Sequence, residues 1–284
     1  MYSQVITRCH RTAFVIAVDQ SSSMQGETTV DGRRMSKAEA VALITNSILE
    51  ELLLRASHSS GLRNYYDVAV IGYADERVYS LIEGEEGFLP ITSLAQKPVE
   101  YAEWQAEHTL PSGETARFTE RIPQWVHPSA AGSTPMYEML DTVAEMVEGW
   151  CREPQNHESF PPMVFNITDG EPTDCDYNSL RSAASRLRSA STADGETLLV
   201  NIHLSAEAKS QLVFPRAEEV ISAGEYARLL ADISSVMPEP FNQPILDLRG
   251  DHAAPPFVAM SYNASIVDGF SMLNIGSYSV TNLQ

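Results

Sequence analysis

Apolar and polar positions along this chain alternate between two regimes. Four short runs, residues 12–18, 67–73, 163–168 and 198–204, are apolar almost without interruption. A strand reads this way when helices cover both faces of a parallel sheet and leave neither side exposed. Between these runs the period lengthens to that of a helix. Ala38, Val41, Ala42, Thr45, Ile48, Leu49, Leu52 and Leu53 form one apolar stripe, and Ser36 with Glu39 makes a capping box at its start. Pro135 suits a first helical position, with Met136, Leu140, Val143, Ala144, Val147 and Cys151 as the inward stripe behind it. Residues 177–191 and 225–235 read as two further helices. Residues 77–82 follow the second strand after only Asp75-Glu76, so they should pair antiparallel at an edge. The predicted fold class is α/β: a doubly wound, mostly parallel sheet with one antiparallel edge strand and helices on both faces, Rossmann-like in plan.

Two stretches stand outside this alternation. Residues 83–131 form a connection too long for a compact domain unless it is functional or carries its own structure. Its Trp104 and Trp125 either form a recognition surface or, the favoured expectation, pin the connection to the domain. From Pro238 the chain runs through Pro-Glu-Pro and Ala-Pro-Pro into a strand-like stretch at 257–280. The expected division is therefore one domain over residues 1–237, with 83–131 inserted, and an extension over 238–284 that packs on it.

Composition narrows the function. The chain has 284 residues, 43% apolar and 20% charged, which is ordinary for a soluble globular protein. A net charge of −19 argues against nucleic acid, whose recognition needs a cationic face, and against adsorption to anionic membranes. It favours a cationic ion. No apolar stretch approaches a membrane span, and the first eleven residues carry no signal-peptide core. Cys9, Cys151 and Cys175 are odd in number and lack metal spacing, so reduced thiols in the cytoplasm are expected.

The candidate chemistry sits where the apolar runs end. The first leads into Asp19-Gln-Ser21-Ser-Ser23, a carboxylate and two hydroxyls at i, i+2 and i+4. By itself this is weak, because serine-rich turns usually only cap helices. The third run leads into Thr168-Asp169-Gly-Glu-Pro-Thr-Asp174, and Gly132-Ser-Thr134-Pro-Met136 stands between the two. All three loops fall beyond strand ends or ahead of helices, where open α/β sheets place their ligand sites. Hard oxygen donors of this kind suit Mg²⁺ or Mn²⁺.

These three motifs, in this order, resemble the metal-ion-dependent adhesion site of von Willebrand factor A domains, over roughly residues 10–240. The resemblance implies Asp19, Ser21, Ser23, Thr134 and Asp169 as metal ligands, and an open coordination position that receives a carboxylate from a partner protein. Ser22 and Ser133 stand where the family often has glycine. Met24, Met136 and the Thr-Asp-Gly-x-Pro-Thr-Asp run look like the intracellular bacterial branch, similar to tellurite-resistance-associated members. That likeness implies a cytoplasmic adaptor in a stress response, beside an AAA+ ATPase or a phosphatase–kinase pair. Mg²⁺ is the expected ion, with Mn²⁺ and Ca²⁺ as alternatives.

An enzyme is the competing class, as a metal-dependent phosphatase or other hydrolase using the same acidic cluster. Against it, haloacid-dehalogenase-type phosphatases need a second carboxylate where this chain has Ser21. No lysine is expected beside the motifs, and no Gly-rich phosphate loop precedes a helix. His10, His58, His108, His127, His157, His203 and His252 are scattered without ligand spacing. No catalytic residue is assigned. A third class, a structural domain with a vestigial site, would be expected to have lost a ligand, and none of the five is lost.

Overall fold

The first apolar run becomes strand β1, Thr12–Asp19, buried along its whole length. A small hairpin of β2, Glu27–Val30, and β3, Arg33–Ser36, leads into helix α1, Lys37–Ala56. The capping box is formed: the Ser36 hydroxyl accepts from the Glu39 amide at 3.1 Å, and Glu39 accepts from the Ser36 amide at 2.7 Å. Strand β4, Tyr66–Ala74, follows, and a two-residue turn returns the chain as β5, Arg77–Ser80, antiparallel to it. Asp75 and Glu76 both have positive φ, 49° and 61°, the conformation that joins such hairpins without splaying the strands. The structure, a computed structural model, describes residues 1–30, 33–98, 100–109, 115–205, 211–265, 268–269 and 271–272; for 102, 104–109, 115–118, 120 and 122 it gives the backbone alone.

The long connection has structure of its own. It adds a two-residue strand, β6, Leu89–Pro90, to β4. It then projects a hairpin of β7, Glu100–Thr109, and β8, Thr115–Gln124, that pairs with itself and not with the main sheet. Trp125 at the hairpin's foot is buried and donates its indole N–H to the Leu94 carbonyl at 2.9 Å. The Asn46 side-chain oxygen Oδ1 accepts from the amides of Trp125 and Val126 at 2.9 and 3.0 Å. Trp125 therefore pins the connection; the Trp104 side chain lies outside the described residues.

Helix α2, Met136–Arg152, strand β9, Met163–Thr168, helix α3, Tyr177–Ser189, and strand β10, Leu198–Leu204, complete the alternation. After them come a two-residue strand β11, Leu212–Val213, helix α4, Glu225–Ile233, helix α5, Asn242–Arg249, and strand β12, Met260–Ala264. Strand β12 pairs parallel with β10, so the segment after Pro238 contributes to the main sheet. Of the predicted strand-like stretch at 257–280, Met260–Ala264 is strand, whereas residues 268–269 and 271–272 are helical, a correction to that expectation; 266–267, 270 and everything beyond 272 lie outside the described residues.

The main sheet runs β11-β12-β10-β9-β1-β4-β5, with β6 also on β4. Its five central strands are parallel. Antiparallel strands stand at both ends rather than at one as the sequence pattern predicts. The two-residue β11 is too short to leave a signal in the sequence. Strand β1 divides its side chains between two cores, as the two-residue period of a strand demands. Phe14, Ile16 and Val18 pack with Val41, Leu49 and Leu52 of α1. Val15 and Ala17 pack with Leu140 and Val143 of α2 and Leu180 of α3. Among the described residues, no helix is long and apolar enough to cross a membrane.

Candidate metal centre

Strand order reverses beside β1: the chain passes first to β4 on one side and later to β9 on the other. Open α/β sheets bind ligands in the crevice this reversal leaves at the strands' carboxyl ends. Asp19 is the last residue of β1, and Asp169 directly follows β9. The Gly132–Pro135 loop closes over the same end. Backbone hydrogen bonds stitch the loops together: the Ser22 amide donates to the Gly132 carbonyl at 3.0 Å, Ala131 to Gln20 at 2.8 Å, and Thr173 to Thr134 at 3.0 Å. Gly132 sits at φ +74°, and a Cβ there would fall 2.5 Å from that of Asp75, so the closure requires glycine. Ser22 and Ser133 do not have positive φ, and serine costs no backbone strain at either.

All five predicted side chains meet in this crevice. Asp19 is fully buried; one of its carboxylate oxygens accepts from the Ser21 amide at 2.8 Å, the other from the Thr168 hydroxyl at 2.7 Å. The hydroxyls of Ser21 and Ser23 lie 2.9 Å apart, and that of Ser23 donates to Asp169 Oδ1 at 2.5 Å. A Cβ on Gly170 would stand 3.7 Å from Ser23 Oγ and 3.8 Å from Thr134 Oγ1, so both hydroxyls border the same backbone. Burial pushes the Asp19 carboxyl above its usual range, against hydrogen bonds from Ser21 and Thr168, and the Asp169 charge adds to the upward push. A buried carboxylate facing a second one favours a cation between them.

The donor set fits a hard divalent ion. Among the described residues, no group of three or more His, Cys, Asp or Glu is placed to hold a metal. What the crevice offers instead is two carboxylates and three hydroxyls, all oxygen, the chemistry Mg²⁺ accepts and a soft transition metal does not.

One cation does reach this set. Lys37 Nζ lies 2.8 Å from Asp169 Oδ2, with side chains only 14% and 1% exposed. This corrects the expectation that no lysine stands beside the motifs. The β2–β3 hairpin pairs Glu27 with Ser36 and so returns Lys37 to the first loop, where its amide donates to the Gly26 carbonyl at 2.8 Å.

The acids downstream of Asp169 have other work. Asp174 accepts from the amides of Tyr137 and Glu138 at 3.2 and 3.0 Å, capping α2 from 36 residues away. Asp176 accepts from the Asn178 and Ser179 amides at 2.8 and 2.9 Å and caps α3. Glu171 accepts the Tyr177 hydroxyl at 2.7 Å, which pushes that phenol up to about 12. Cys175 is a free thiol raised to about 11 by burial and then by Asp174 and Asp176, a poor nucleophile at neutral pH.

No protein-family model and no curated protein matches the chain. Solved structures do. The von Willebrand factor type A protein from Catenulispora acidiphila is 14% identical, with a TM-score of 0.41, over 79% of this chain and 41% of its own. The vWF domain of the type V pili tip protein Mfa5 from Porphyromonas gingivalis is 13% identical, with a TM-score of 0.34, over 57% and 39%. An aerotolerance-related membrane protein from Bacteroides fragilis is 14% identical, with a TM-score of 0.34, over 68% and 67%. The chain thus spans about two fifths of the first two.

Beneath the crevice lies a polar chain that the motif reading misses. The Tyr73 hydroxyl donates to Asn166 at 2.7 Å, Asn166 to Asn201 at 2.9 Å, and Asn201 to the Ser234 hydroxyl at 2.9 Å, all four residues buried. Its signal in the sequence is an asparagine inside each of two apolar strands. A fully satisfied network of this kind fixes register and rigidifies the floor of a site. His203, stacked on Tyr262 at 4.7 Å and accepting from the Asn263 amide, is held neutral, lowered to about 4 by burial.

Proposed function

We propose that the chain is a metal-dependent protein-binding module of the von Willebrand A type, whose bound divalent cation accepts a carboxylate from a partner protein. The observation that carries this reading is the convergence of Asp19, Ser21, Ser23, Thr134 and Asp169, from three separate loops, at the strand-order reversal. Asp19, Ser21, Ser23, Thr134 and Asp169 would hold the ion directly or through water. The ion supplies Lewis acidity at a position that neutral hydroxyls leave electrophilic. The chain's own contribution is placement: strand ends fix the acids, and Gly132 fixes the Thr134 loop. Mg²⁺ is the proposed ion. A cytoplasmic adaptor beside an AAA+ ATPase or a phosphatase–kinase pair is the proposed setting.

A hydrolase gains one observation, Lys37 beside Asp169, since phosphatases steady a phosphate with lysine. That ammonium is already paired, however, and position 21 still offers a hydroxyl where a second carboxylate is needed. The test pairs two measurements on purified protein. Capture of a partner from lysate should require divalent metal, should be lost in chelator, and should weaken in Thr134→Ala while the fold is kept. Metal-dependent hydrolysis of a phosphate ester that vanishes in Asp19→Ala, with no chelator-sensitive partner, overturns the reading.

A further inference from the structure

Lys37 occupies an unfavourable place. It is the first residue of α1, where the partial positive charge of the helix N-terminus repels a cation. Ser36 and Glu39 already cap that end, so the lysine contributes nothing to helix initiation. Its chain instead passes over Gly26, where an added Cβ would meet Lys37 Cε at 3.5 Å and Nζ at 3.8 Å. It ends on Asp169 Oδ2 at 2.8 Å, while Ser23 takes Oδ1. Both oxygens of the second carboxylate are thereby engaged, and its side chain is 1% exposed.

From this geometry we propose that Lys37 is a tethered counter-cation that competes with the divalent ion for Asp169 and so sets the affinity of the site. The inference rests on the metal-binding reading above and names how that site is tuned. Without metal, the ammonium neutralises a carboxylate that would otherwise be buried beside Asp19. A divalent ion entering the crevice must share or displace that contact. Metal loading is in this way coupled to the first turn of α1 and, through Gly26 and the Glu27–Ser36 pairing, to the β2–β3 hairpin.

The experiment is an equilibrium Mn²⁺ titration of the full chain, by the spin-resonance signal of free Mn²⁺. It compares wild type, Asp19→Ala, Lys37→Met and Lys37→Gln, with circular dichroism to show that each is folded. Both Lys37 variants should bind Mn²⁺ about tenfold more tightly than wild type, within the usual span of coupling between two ligands. Without metal they should melt lower than wild type, and saturating Mn²⁺ should close that gap. Asp19-dependent binding in wild type that neither Lys37 variant tightens overturns this inference alone. Absence of Mn²⁺ binding in all four proteins overturns the functional reading and this inference with it.

Discussion

Two acidic stretches lie within a few residues of one another and do different things. Asp169, with Asp19 across the crevice, stands at a strand end, buried, among serine and threonine hydroxyls. Asp174 and Asp176 are exposed, and their oxygens face the open N–H groups of two helices. The first pair is balanced by one ammonium, that of Lys37 on Asp169, and leaves a second buried carboxylate, Asp19, without a cation of its own among the described residues. The second pair is already neutralised by helix dipoles. Local acid density is therefore a poor guide to a metal site; what counts is whether the carboxylate ends a strand or starts a helix.

The largest expected effect lies at Gly132, where the loop closes on the crevice. Gly132→Ala puts a Cβ 2.5 Å from the Asp75 Cβ at φ +74°, and should cost about 2–3 kcal/mol. It should also weaken divalent binding, because Thr134 moves with the loop. Denaturant unfolding at constant slope checks the first effect and a metal titration the second.

A smaller effect sharpens the contrast. Asp174→Ala removes a helix cap and should cost about 1 kcal/mol, leaving divalent affinity unchanged. A fall in affinity as large as that of an Asp19 variant would return Asp174 to the site.

The smallest effect is a pH dependence. Amide hydrogen bonds, from Ser36 to Glu39 and from Ser179 and Asn178 to Asp176, hold both carboxyls below their ordinary values of 4.5 and 3.8. A folded value below the unfolded one stabilises above the unfolded value and is lost as pH falls through the folded one. Melting temperatures of wild type and a Glu39→Gln, Asp176→Asn double variant should therefore differ by a constant amount at neutral pH. The two curves should converge only in acid, below those ordinary values.

Much of the architecture is legible in the sequence for a physical reason. Strands buried on both faces must be apolar throughout, which is why the runs ending at Thr168 and Leu204 coincide with β9 and β10. The Ser36–Glu39 box is legible because its partners lie three residues apart. The five crevice residues come together because a strand-order reversal forces its flanking loops to one place. What stays hidden depends on contacts distant in sequence. Lys37 reaches Asp169 across 132 residues, through a hairpin that no apolar run announces. Asp174 reads as a site acid until the helix it caps, far upstream, is folded against it. The β7–β8 hairpin pairs with itself off the main sheet, so it stands outside the alternation of apolar runs and helices that marks the sheet's parallel strands.

The proposed divalent ion would sit between Asp19 and Asp169. The most direct test is calorimetric titration of Mg²⁺ into wild type, Asp174→Ala and Asp19→Asn. Asparagine keeps the size of the side chain and an acceptor for the Ser21 amide, so the fold should survive while one of the two crevice charges is lost. One saturable site is expected in wild type and in Asp174→Ala, and none in Asp19→Asn. Equal Mg²⁺ affinity in all three proteins would contradict that placement.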